Sequence, residues 1–278
     1  MIERLFLGLL FALVAAAPTA GDPDPGRGLG GTGHTMDDGG SGIGGTGYQP
    51  SGDGRGIGGT GIVGTISAFG SIWVNGVEVD YPADQTVSLY DRPATGKDLR
   101  VGQVVSVEAE SHGDRLVARS IEVRHAVVGP VESVDARRGI MNVLGQRVRM
   151  PAEDPLSKTL RPGHWVSVSG LREPKGVIVA SLLEQPPRGV GAFVRGEVER
   201  VDARGVIIGG HRYRLPPGTD PSTIPGGVDL TVYGEPEGDG LTPTRLREGW
   251  LLPFDGRVRN FLVEGFMDTR GRRIGALS

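Results

Sequence analysis

Five histidines and no cysteine limit the chemistry open to this sequence. Disulfides, thiolate metal sites and cysteine nucleophiles are excluded outright. His34, His112, His125, His164 and His211 are scattered, and none falls into the H-x-x-x-H or H-E-x-x-H spacing that holds zinc. The one local gathering of metal-capable side chains is Glu110-Ser111-His112-Gly113-Asp114, which makes Glu110, His112 and Asp114 the candidate metal ligands. The run reads as a hairpin tip, where polar residues are expected for solvation alone. His211 follows a Gly-Gly pair at an inward strand position, which suits a barrel-mouth histidine bonded to backbone better than a ligand. Glu108 and Glu110 share one face of a strand, the ordinary arrangement of a solvated sheet surface. No G-x-S-x-G nucleophile elbow is present. The residues therefore argue for no catalytic group and no cofactor.

Binding chemistry is narrowed in the same way. Phosphate contacts need an excess of Lys and Arg, and base stacking needs aromatic platforms. Here 30 basic residues face 33 acidic ones and aromatics make up 5%, so nucleic acid is not an expected partner. Arg137-Arg138 and Arg270 with Arg272-Arg273 are short basic clusters at predicted turns and read as solubility devices. Trp73 and Trp165 are the candidate ligand or partner contacts. The register derived below turns Trp73 away from the interior, either as a binding platform or, the favoured reading, as a cover between modules.

The elements that must carry these residues are short strands. Of 278 residues, 48 are glycine and 20 proline, a composition that weakens or breaks long helices. Residues 1–20, MIERLFLGLLFALVAAAPTA, hold an apolar run from Leu5 to Ala17 that is too short to span a bilayer and reads as a secretory signal peptide. Once it is cleaved, no membrane-crossing segment is expected. Residues 21–60 form a glycine-rich leader, read as a flexible, disordered linker. In it Gly28-Leu29-Gly30-Gly31-Thr32-Gly33 returns as Gly42-Ile43-Gly44-Gly45-Thr46-Gly47 and again from Gly56 to Gly61. Each copy matches G-x-G-x-x-G in form. No strand precedes the copies and more glycine follows them, so they do not make a dinucleotide site.

Beyond the leader, apolar and polar residues alternate in runs punctuated by Gly, Pro, Asp and Asn, the mark of half-buried strands and tight turns. Val134-Asp135-Ala136-Arg137 repeats as Val201-Asp202-Ala203-Arg204, and Leu99-Arg100-Val101-Gly102 is echoed by Leu160-Arg161-Pro162-Gly163. These echoes divide the chain into units at 61–128, 129–193 and 194–252, with a partial fourth at 253–278, roughly 60–67 residues apart. Asn75-Gly76 is a preferred two-residue hairpin turn and sets the register. Ile72, Val74, Val77 and Val79 face inward with Tyr81, while Trp73 faces out. The same register turns Met141, Val143, Val148 and Met150 inward in unit two, and Val206, Ile208, Tyr213 and Leu215 in unit three. Met267 and Ile274 take that place in the fourth. Each unit offers a first strand, a hairpin pair, a short middle strand and a closing pair, with one helical turn near Ala94–Leu99. The expected fold is all-β: about three full OB-like five-stranded barrels in tandem, plus a C-terminal hairpin docked on a neighbouring unit, the third being favoured.

The run from Gly56 to Asp80, with Gly-Thr-Ile-Ser-Ala-Phe-Gly-Ser-Ile-Trp-Val-Asn-Gly-Val-Glu-Val at its centre, resembles the start of the bacterial DUF5666 family. The resemblance implies a signal peptide, a glycine-rich leader, tandem β modules and an envelope-associated protein, and it supplies no catalytic motif. The expectation is an exported, periplasmic or secreted, non-enzymatic protein that binds or scaffolds through surfaces of its modules, with an envelope protein as partner. A saccharide- or metal-binding protein is the alternative, and an enzyme with a site between modules is a third reading.

Overall fold

The computed structural model describes residues 59–82, 84–238, 240–249, 254 and 258–266. Residues 1–20, expected to be a signal peptide, nearly all of the leader, and the Met267 and Ile274 positions of the fourth unit lie outside the described residues.

The first unit is a closed barrel. Strand β1 (Gly59–Ala68) runs antiparallel to β2 (Ile72–Val74), which turns into β3 (Val77–Asp80). Asn75 and Gly76 both take positive φ, 56° and 74°, the twist that matches a right-handed hairpin. A second hairpin, β4 (Thr86–Leu89) and β5 (Arg92–Thr95), and one 3-10 turn at Gly96–Asp98 precede the closing pair β6 (Val104–His112) and β7 (Arg115–Val123). β6 pairs with both β7 and β1, and β3 meets β7 in parallel, so the ring closes as β1-β2-β3-β7-β6. That is OB connectivity. The expected middle strand is not a barrel stave, because β3 reaches β7 directly. β4 instead lies parallel to β7 farther along it. Ile62, Ile66, Ile72, Val74, Val79, Val105, Val107 and Ile121 fill the core, and Tyr81 packs at its margin.

The second unit repeats the ring with β8 (His125–Asp135), β9 (Ile140–Val143), β10 (Gln146–Arg149), β11 (Trp165–Arg172) and β12 (Ile178–Glu184). The order β8-β9-β10-β12-β11 closes through the parallel β10–β12 contact and the antiparallel β11–β8 ladder. Helix α1 (Pro155–Thr159) replaces the second hairpin. Asp154 caps it, accepting from the Leu156 amide, and Pro155 sits where a missing N–H costs nothing.

The third unit departs from the expected barrel. β13 (Ala192–Glu197) and β14 (Arg200–Asp202) are one first strand broken at Val198-Glu199. β15 (Gly205–Ile208) and β16 (His211–Tyr213) form the hairpin, and β17 (Asp229–Glu237) and β18 (Gly240–Gly249) the closing pair. The inward set Val206, Ile208 and Tyr213 is buried as expected. Among the described residues no ladder joins β16 to β18, so β14-β15-β16 stand apart as a small sheet. Prolines flank the gap: Pro216 and Pro217 follow β16, and Pro243 removes a donor from β18. β13 pairs with β17 of its own unit and also with β8 of the second barrel, and units two and three share one hydrophobic core.

Strand β19 (Val258–Val263), the described part of the fourth unit, lies parallel to β1 of the first barrel rather than on the third unit. The Glu264 amide donates to Val63 O and its carboxylate accepts from the Thr65 amide. Gly61 makes room for Phe254, since a Cβ there would meet the ring.

Close approach also explains the repeating first-strand glycines. A Cβ on Gly64 would strike the Asn75 side chain, and one on Gly129 would stand 2.6 Å from Leu144 Cδ1. In both barrels the first hairpin-turn residue thus folds across the strand. In the third unit that turn residue is Gly209, and the space is taken by Arg172 from β11. The Arg172 guanidinium donates to Gln146 Oε1 (2.5 Å), Gly176 O (2.8 Å) and Arg195 O (3.2 Å). Burial pushes it down to about 10.

Candidate functional site

The register that buries Ile72, Val74, Val77 and Val79 presents Trp73 on the outer surface, 37% exposed and directly across from Glu78. Beside it the tip of the β6–β7 hairpin approaches, and the two hairpins enclose a depression of about 340 Å³. Trp73, Glu78, Asp80, Asp114 and Arg115 line it. Ser71 Oγ donates to Glu78, and Arg115 pairs with Asp80 at 3.6 Å. An indole flanked by carboxylates and a guanidinium offers a stacking face and directional hydrogen-bond partners in one place.

Two residues singled out for different reasons, Trp73 and Asp114, therefore meet. Glu78, Asp80 and Arg115 were missed, although Glu78 and Asp80 alternate with the inward valines and their outward position was implicit in the register. The structure does not assemble Glu110, His112 and Asp114 into a metal site. Among the described residues no three His, Asp or Glu side chains are gathered as a cation needs. Glu110 instead lies 3.7 Å from Arg119, while His112 stands across from Arg115. Trp165 begins β11 opposite Pro130, 38% exposed and on the second barrel. His211 rests against the Tyr213 ring at 4.9 Å, where Gly145 leaves room for it.

The first barrel meets the other two units through polar groups and through a small apolar cluster in which Tyr90 and Tyr233 pack on Val128, Val190 and Phe193, and Trp73 belongs to neither set. Where the first two barrels meet, Tyr90 OH lies 2.9 Å from Ser167 Oγ and the Tyr90 ring stacks on His125 at 4.4 Å and 7°. Gln103 donates to Glu184 Oε2 (3.1 Å) and Ser181 to Gly102 O (2.6 Å). Where the first barrel meets the third unit, Asp229 accepts from Arg124 (2.8 Å) and Arg195 (2.7 Å). Glu122 accepts from Arg195 (3.1 Å) and Arg247 (3.3 Å), and Arg247 also reaches Asp91 at 2.8 Å. Burial alone would raise the Asp229 and Glu122 carboxyls, but these arginines outweigh it and hold both below the usual carboxylate range. Burial and neighbouring Arg195 press Arg124 down to about 10. Arg245 caps the network over the Tyr233 ring, 3.7 Å from its centroid.

With the two closed barrels traced, their boundaries can be set against known families. Residues 60–122 and 128–184 each match the model of a domain of unknown function, DUF5666. The chain carries two DUF5666 domains. Each match covers one closed barrel, from first strand to last, and the open third unit lies outside both. No curated relative matches the sequence. Among the described residues no helix is long and apolar enough to cross a membrane.

Proposed function

We propose that this is an exported, periplasmic or secreted binding or scaffolding protein without catalytic activity, and that the Trp73 face of the first DUF5666 domain is its partner-binding surface. The observation that carries the reading is the juxtaposition of an outward indole with Glu78, Asp80, Asp114 and Arg115 in one depression. The molecule shows within itself what such groups do: at the junction, Tyr233 and Asp91 together take Arg245. A partner protein from the cell envelope offering a cationic side chain would find the same aromatic-and-carboxylate pairing at Trp73. The second reading is a saccharide, whose ring would stack on the indole while the carboxylates and Arg115 bond its hydroxyls.

Crosslinking in an envelope fraction tests the first reading, with Trp73→Ala expected to lose a captured protein that Trp165→Ala retains. A saccharide panel in a thermal-shift assay tests the second, because a ligand bound only to the native state raises Tm by mass action. Capture unaffected by Trp73→Ala, together with a silent panel, rejects the Trp73 face as the binding surface. N-terminal sequencing of protein from cell fractions tests export.

A further inference from the structure

We propose that His125 is a pH-sensitive latch between the two DUF5666 domains, holding them together while its ring is neutral and releasing them when the ring takes a proton. His125 stands in the short stretch between the two matched segments, at the first position of β8, and its side chain is completely buried. Neither ring nitrogen has a hydrogen-bond partner among the described residues. One face of the ring lies flat on Tyr90, which reaches over from the β4–β5 turn of the first barrel and bonds Ser167 of the second. The latch thus stacks a ring from the first domain flat on one from the start of the second.

The charged and titratable groups around it come from four elements. Glu184, at the end of β12, has Oε2 3.8 Å from Nε2, beyond hydrogen-bonding distance, and is already engaged by Gln103. Arg100, from the turn before β6, favours the ionised Glu184, while Arg195 on β13 opposes a positive charge on the imidazole. Tyr90 is itself half-buried and stays protonated, its hydroxyl pushed upward by that burial. Ser169, paired across from His125 on β11, has a buried hydroxyl without a partner. Burial dominates the balance and lowers His125, with Glu184 pulling the other way.

The sign follows from linkage. The closed junction binds a proton on His125 less readily than an opened, hydrated one does, so closure is at full strength above the ordinary imidazole value of about 6.5. It weakens as pH falls below that value, by up to about tenfold in the closed-to-open ratio per pH unit until the closed form is itself protonated.

The absence of native cysteine makes the test direct. Spin labels on Ser111→Cys and Arg137→Cys, one exposed position in each domain, report the interdomain distance by pulsed electron resonance in the full chain. The expected result is one narrow distance at pH 7.5 and a broadened, longer distribution at pH 5.0. His125→Phe, which keeps the stack and cannot titrate, should hold the narrow distance at both. Should that variant fail to fold, an NMR titration of the wild-type His125 ring stands in for it, with a midpoint below that of a free imidazole expected. Identical distributions at the two pH values overturn the latch, as does a His125→Phe response equal to wild type or a ring that titrates like free imidazole.

Discussion

Leu144 and Gly145 occupy the turn position that Asn75 and Gly76 hold in the first barrel, with φ of 49° and 75°. A leucine there is strained, yet its side chain is buried over Gly129. Packing has outweighed turn propensity. Gly129→Ala should therefore lower stability by about 1–3 kcal/mol, read as a drop in urea midpoint, because the added methyl meets Leu144 in a closed site. Arg172→Ala should cost about 3 kcal/mol by the same measurement, since it empties the space above Gly209 and takes the donor from Gln146 Oε1. The first-strand glycines Gly64 and Gly129 are visible in the sequence, but their reason is not. Nothing in the residue order says that a turn side chain lies over one of them, or that Arg172 substitutes for the side chain Gly209 lacks.

Among the elements, the hairpins were the most legible, because a two-residue turn and strict alternation fix which side chains face inward. Their register places Trp73 outward as observed. The partners of whole strands were hidden, since alternation shows that a face is covered without showing what covers it. The shared core of units two and three, the missing β16–β18 ladder and the return of β19 to β1 all lie in that gap. The ionic junction is equally silent in the sequence, joining Arg124 to Asp229 across more than a hundred residues. Asp229→Asn should destabilise the fold by about 3–5 kcal/mol, because it strands Arg124 and Arg195 in a buried site. The same network predicts the acid limb. Asp229 and Glu122 are depressed in the folded protein, so their contribution is fully present above the unfolded carboxylate values near about 4 and is lost as pH falls through the folded ones. Urea midpoints measured between pH 7 and pH 3 should fall on that limb, and Asp229→Asn should flatten it.

For the whole molecule, two large cores serve three units, one inside the first barrel and one continuous through the second and third, with a small third cluster at the junction. A fragment of residues 190–249 should therefore remain unfolded by circular dichroism, whereas residues 125–249 should fold cooperatively. Loss of the second core should expose the first barrel's polar junction without dissolving its interior. The parallel β1–β19 ladder adds a mechanical property. Tension applied between residue 59, where β1 begins, and residue 266, just past the end of β19, would pull the two strands lengthwise past each other, so their cross-strand bonds would bear the load together rather than one after another. If both ends were anchored in the cell, that ladder would act as a clamp, and the barrels would be shielded from force until it gave way.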